Sequence, residues 1–218
     1  IDGTVNTGVT VTAGTAPLGG MGYVGNNSYS GGILNDLMDA TGHDAAQINA
    51  AVTDPFTGTT FITNRDVMQG GAGNDTLKAG AGGDELYGGK GNDVLEGGAD
   101  GNSPNVWENA DRARYDNSIT RYDIQFFRVA SEAEMANGSI DKFDPQGIQV
   151  TSLDPDSTYY VKSSYYDRDG LIVIQDRYSE ALGGDGRDVL SGIEALSFSD
   201  AWEQLELQAY DYGTQRNI

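Results

Sequence analysis

Apolar residues return along part of this chain on a strict clock. Between residues 61 and 102 they recur every nine positions, at Met68, Leu77, Leu86 and Leu95. Further on, ARYDNSITRYDIQFF (113–127), YYVKSSYY (159–166) and LIVIQDRY (171–178) read as strands of antiparallel β. The last two flank DRDG (167–170), a good hairpin connection. Near the start, VNTGVTVTAG (5–14) predicts a short strand, whereas ILNDLMDA (33–40) and HDAAQINAAV (43–52), parted by Gly42, have helical spacing and predict two short helices. SEAEMANG (131–138), with Ser131 placed to cap and Gly138 to stop, predicts another.

The nine-residue clock is a repeat. Laid out by nines, the chain gives GGAGNDTLK at 70, AGAGGDELY at 79 and GGKGNDVLE at 88, with GGADGN at 97 as a fading copy. FITNRDVMQ at 61 lacks the glycines but keeps Asp66 and Met68 in phase. A flexible linker has no reason to hold aspartate and leucine in register. A backbone that turns every nine residues needs positive φ and close approach between turns, which glycine allows at no steric cost. The triplets T-L-K, E-L-Y and V-L-E between turns suit very short strands of a parallel coil in which two nines make one circuit. Their middle residues then point inward, and residue i lies beside i+18. That pairing sets Asp66 beside Asp84, Asp75 beside Asp93, and Asp84 beside Asn102.

Such a core is thin. Each buried leucine contributes about 2 kcal/mol, against roughly 1–2 kcal/mol per residue for ordering the backbone. Stacked carboxylates repel unless a cation lies between them. The chain as a whole is acidic, with a formal charge of −20, and aspartate outnumbers glutamate by more than two to one. That balance argues against nucleic acid and anionic membranes as partners and for cations. All candidate ligands are oxygens; without cysteine, and with His43 as the single histidine, no soft-metal site can be built. Calcium takes about 6–8 oxygens in flexible geometry, whereas magnesium demands a tight octahedron and zinc prefers nitrogen or sulfur.

The pattern G-G-x-G-x-D-x-U-x, with U apolar, resembles the RTX (repeats-in-toxin, haemolysin-type) calcium-binding repeat over residues 64–102. The segment GGDGRDVLSGIEALSFSD (183–200) is similar to the one that closes such regions. The resemblance implies Ca2+ as cofactor, with Asp66, Asp75, Asp84 and Asp93 as side-chain ligands. It implies carbonyl ligands from Gly70, Gly71, Ala72 and Gly73, from Ala79, Gly80, Ala81 and Gly82, and from Gly88, Gly89, Lys90 and Gly91. About three sites follow from the i, i+18 pairing. Asn102 departs from the pattern, and its neutral amide implies that the last site is weaker or absent. GGDGRDVLS (183–191) is a lone copy without a sequence neighbour to stack on, so Asp185 and Asp188 either bind calcium or only shape a turn.

These readings give an all-β fold: a short parallel β-roll, the RTX nonapeptide solenoid, with an antiparallel β cap and a small helical N-terminal segment. The expected divisions are an N-terminal flank with short helices at 1–60, the roll at 61–102, the cap at 103–200 and a tail at 201–218. The resemblance further implies a secreted bacterial protein that leaves the cell unfolded by type I secretion and folds on extracellular calcium. A start at Ile1 rather than methionine is expected of a piece covalently part of a longer chain. No run of about 18 apolar residues is present, so no membrane-spanning helix is predicted. No paired catalytic acids, nucleophile elbow or zinc motif is visible, and no enzyme activity is expected of this chain. Two other readings stay open: a glycan- or peptide-binding module of an adhesin, with the tyrosines of 159–178 lining a groove, and an accessory part of a secreted enzyme. DRDG begins like an EF-hand loop, but Tyr178 stands where the closing glutamate would be.

Overall fold

The computed structural model describes residues 10–12, 28–40, 52–53, 60–61, 65–100, 110–204, 210–211 and 216–217. In the first half the strands are β1 (Thr10–Thr12), β2 (Ser28–Ser30), β3 (Leu37–Asp39), β4 (Val52–Thr53), β5 (Thr60–Phe61), β6 (Val67–Ala72), β7 (Thr76–Gly82), β8 (Glu85–Lys90), β9 (Val94–Asp100) and β10 (Arg112–Arg114). From β6 to β9 successive strands go alternately to two sheets. β6 pairs in parallel with β8, Val67 opposite Glu85, and β7 with β9, Thr76 opposite Val94. Each strand is thus hydrogen-bonded to the next but one, with the eighteen-residue offset that the nines imply.

The two ladders continue beyond the repeats at both ends. β2 joins the β6 edge and β3 the β7 edge, while β1 lies outside β3, all in parallel. At the other end β10 follows β8 and β16 (Arg187–Ser191) follows β9; β17 (Ala195–Ser197) then follows β10. Beyond β16 the larger sheet turns antiparallel, through β15 (Leu171–Asp176), β11 (Tyr122–Val129), β14 (Tyr160–Ser163), β12 (Lys142–Phe143) and β13 (Gln149–Val150). β18 (Trp202–Gln204) closes the smaller sheet against β17. Among the described residues strands make up nearly all the regular structure, and the fold is all-β with one parallel and one antiparallel part.

Side-chain alternation sends one residue per short strand between the sheets. Met38, Met68, Leu77, Leu86 and Leu95 are fully buried there, continued by Ala113, Leu190 and Leu196. Tyr115, Tyr122 and Phe198 finish this column at the antiparallel end, with ring centroids 5.0–5.5 Å apart.

Three expectations are corrected or confirmed here. The helix expected at 33–40 does not form: residues 31–36 turn and Leu37–Asp39 is β3, so the helical N-terminal segment is not supported by the described residues. Ile33, Leu34, Leu37 and Met38 fit a helical stripe by spacing, yet Met38 is buried and Leu37 is open, the alternation of a strand. The second expected helix, at 43–52, falls outside the described residues except for Val52, which begins β4. The DRDG hairpin is also not made. The Gly170 amide donates to the Asp167 carbonyl in a turn, but β14 and β15 do not pair with each other; both flank β11. The helix at 131 does form, as α1 (Glu132–Ala136), where Ser131 and Glu134 make a reciprocal capping box.

Candidate metal centre

Two ladders of carboxylates run along the edges of the parallel part. On one edge the Asp36 amide donates to Asp75 Oδ1 (2.7 Å), the Asp75 amide to Asp93 Oδ1 (2.8 Å) and the Asp93 amide to Asp188 Oδ1 (3.0 Å). On the other, the Asp66 amide donates to Asp84 Oδ1 (2.6 Å), the Asp84 amide to Asp111 Oδ1 (2.7 Å) and the Asp111 amide to Glu194 Oε2 (2.8 Å). Every one of these carboxylates is buried. Each lies where a turn runs into a strand, so strand pairing brings them into line. A parallel row of asparagines supports the first edge: Asn35 Oδ1 accepts the Asn74 amide, Asn74 Oδ1 the Asn92 amide, and Asn92 Oδ1 the Arg187 amide.

The glycine pattern follows from this stacking. A Cβ at Gly70 would collide with Asp75 Oδ2 and the Gly88 carbonyl; one at Gly31 would collide with Asp36 Oδ2 and the Gly70 carbonyl; one at Gly97 with Asp111 Oδ2 and the Gly192 carbonyl. In each case a carboxylate oxygen from one turn and a carbonyl oxygen from the next face the same Cβ-sized space. Gly71, Gly73, Gly89 and Gly91 have φ between 104° and 129°, the left-handed region closed to most side chains.

Hydrogen bonding leaves an oxygen over. Asp75 and Asp93 are each 1% exposed, and their Oδ2 atoms have no hydrogen-bond partner. Burial of such an atom is costly unless something positive meets it. Burial pushes the Asp75 carboxyl upward, opposed by the Asp36 amide and reinforced by the Asp36 charge. At Asp93 burial likewise dominates; the Asp75 amide works against it, the Asp75 and Asp185 charges add to it, and the carboxyl is pushed up to about 7. Asp188 is raised well above the ordinary range by burial and then by the Asp93 charge.

The structure therefore gathers the expected side chains as follows. Asp75, Asp93 and Asp188 lie on one edge with Asp36; Asp66 and Asp84 lie on the other with Asp111 and Glu194. The backbones of Gly70–Gly73, Ala79–Gly82 and Gly88–Gly91 run through the ends of β6, β7 and β8 beside them, and the Lys90 carbonyl also accepts the Gly73 amide. Asn102 lies outside the described residues, and the partner expected for Asp84 is corrected: Asp111 takes that place, 27 positions on instead of 18. The lone copy at 183–191 does have a neighbour, because β16 stacks it on 88–96 from 95 residues away. Asp185 stays off the ladder; its Oδ2 accepts the Asn117 side-chain amide and the Tyr122 hydroxyl, which shapes the turn.

Among the described residues, no three His, Cys, Asp or Glu side chains converge to hold a metal ion by themselves. A cation at these turns must draw most of its shell from backbone carbonyls, which is oxygen-only, hard-cation chemistry. The unpartnered, buried Asp75 and Asp93 oxygens, and the Gly88 carbonyl set opposite the first of them, fit that demand.

Residues 64–103 match the family model of the RTX calcium-binding nonapeptide repeat, in four copies. These repeats indicate a calcium-binding module. No curated protein and no solved structure matches the chain. The ladders extend past the matched repeats at both ends. Asp36, Asp111 and Glu194 were missed from sequence, although GGILND at 31–36 carries glycine and aspartate at positions 1, 2 and 6 of the motif.

Proposed function

We propose that this chain is a calcium-loaded β-roll module whose bound ions complete its fold, and that it works outside the cell as part of a secreted bacterial protein. The observation that carries the reading is the pair of buried, unpartnered oxygens on Asp75 and Asp93, each in a turn of the matched repeats. Asp66, Asp75, Asp84 and Asp93 would hold the ions together with carbonyls of 70–73, 79–82 and 88–91. Calcium supplies there the positive charge that the stacked carboxylates lack. The chain's own residues supply oxygens, space at the glycines and a dry interior of leucine and methionine.

A ligand that binds only the folded form stabilises it by mass action. Extracellular modules bind calcium at about 10⁻⁴ to 10⁻³ M, far above the free level inside a cell. The acidic repeats then stay open during type I export and close after it. The module is proposed to be non-catalytic.

Calcium titration of the metal-free chain, followed by circular dichroism, tests this reading. A rise in β signal and melting temperature that EGTA reverses, and that Asp84→Ala weakens, is the expected result. The same spectrum and melting point in EGTA as in calcium would sink it.

A further inference from the structure

The C-terminal ends of the two ladders differ from their middles. On the first edge, turn 183–188 aligns with 88–93 through β16 and β9. Gly183 therefore occupies the position of Gly70 and Gly88, whose carbonyls face the same space as the Asp36 and Asp75 carboxylates. The Gly183 carbonyl instead accepts Arg121 Nη2, at 2.5 Å. That guanidinium also grips Asp176, through Nε at 2.9 Å to both carboxylate oxygens and Nη2 at 2.7 Å. Asp176, with a side chain wholly buried, in turn accepts the amides of Tyr178 and Asp185. Asp188 Oδ2, the counterpart of the unpartnered oxygens of Asp75 and Asp93, accepts the Tyr115 hydroxyl at 3.0 Å.

The second edge ends in the same way. Glu194 is 1% exposed and takes the place of an aspartate at the head of that ladder. Its Oε1 lies 3.7 Å from Arg168 Nη2, on the loop that leads into β15. Arg168 stands on the solvent side with a side chain 44% exposed. An arginine thus reaches the last turn of each ladder.

We propose that Arg121 and Arg168 are internal counter-cations that close the C-terminal ends of the carboxylate ladders in place of a metal ion, so that turn 183–188 and Glu194 take no calcium. A guanidinium is permanently charged and offers several fixed donors, so it can neutralise a buried carboxylate or carbonyl cluster without an ion. The nonapeptide at 183–191 is then a turn of the repeat type with its ion position filled by the protein itself. This assignment rests on the calcium reading of the repeats.

The test is the number of calcium ions bound per chain at saturation, by native mass spectrometry and equilibrium dialysis. If the unaltered chain binds none, the calcium reading itself has failed. If it binds several, Arg168→Gln should bind one more, because the guanidinium beside the carboxylate at the end of the second ladder is gone. Loss of Arg121 strands the buried Asp176, so the pair is replaced together; Arg121→Gln with Asp176→Asn should also gain one ion. Glu194→Gln should keep the original number. An unchanged count in both arginine variants, or loss of an ion in Glu194→Gln, overturns the proposal. Should Arg168→Gln not fold, Glu194→Gln decides alone, since a lost ion there would make Glu194 a metal ligand.

Discussion

Asp188 accepts the Asp93 amide in the way Asp93 accepts that of Asp75, at 3.0 and 2.8 Å, although 95 residues separate one pair and 18 the other. The repeat ladder is therefore one structure assembled from pieces of chain far apart in sequence, and its hydrogen bonds tie the antiparallel part to the repeats.

That bond gives the first prediction. Asp188→Ala removes the acceptor for both the Asp93 amide and the Tyr115 hydroxyl. Stranding buried donors costs about 1–3 kcal/mol, which for a chain of this size lowers the melting temperature by roughly 2–4 °C per kcal/mol. Asp188→Asn keeps an oxygen in place and should lose less. Hydrogen exchange should quicken first in β9 and β16; equal melting of all three proteins would count against the role.

Glycine substitutions separate crowding from flexibility. A Cβ at Gly88 would strike the Asp93 carboxylate, whereas at Gly138 it would meet nothing within 4 Å. Gly88→Ala should weaken calcium binding and cost about 1–3 kcal/mol, while Gly138→Ala should leave both unchanged. Calcium titration and thermal melting of the two variants check this; identical behaviour would show that the cradle at Gly88 is not used.

The column of inward side chains should behave as a core even though it is one residue wide. Leu86 is fully buried between the sheets. Leu86→Ala should cost about 2–5 kcal/mol by denaturant titration in saturating calcium. A loss under 1 kcal/mol would mean that the ions alone hold the coil.

The pH dependence should reverse sign with calcium. Burial first, then the neighbouring Asp75 and Asp185 charges, raises Asp93 from the ordinary 3.8 to about 7 in the metal-free fold. The fold binds the proton more tightly than the open chain, so this contribution is present below pH 3.8 and is lost as pH rises through about 7. In EGTA the chain should be harder to denature at pH 5 than at pH 8. In calcium the order should invert, because the ion needs the deprotonated carboxylate. Greater stability at pH 8 in EGTA would show that Asp93 is not strained by its burial.

The nine-residue clock made the middle of the fold legible. Met68, Leu77, Leu86 and Leu95 lie inward as the triplets imply, and Asp66–Asp84 and Asp75–Asp93 meet at the eighteen-residue offset, because stacking of equal units is a local rule. The Ser131 cap was legible for the same reason. What failed was non-local. Asp36 hides in a segment whose apolar spacing is helical, and only its stacking on Asp75, 39 residues on, makes it a strand. Asp111 stands nine positions past the expected register, and Glu194 stands in a turn too short to show the motif. β14 and β15 look like a hairpin in sequence, and nothing local announces that β11 lies between them.

The edge that β9 turns away from β7 has a consequence for the order of events as the chain emerges. Among the described residues β16 covers that edge, at Val94 against Val189, so a molecule emerging from its N-terminal end shows an unsatisfied strand edge until about residue 190 has followed. The strand at 187–191 must dock before that edge is sealed, which makes its arrival the step that protects the repeats from sticking to one another.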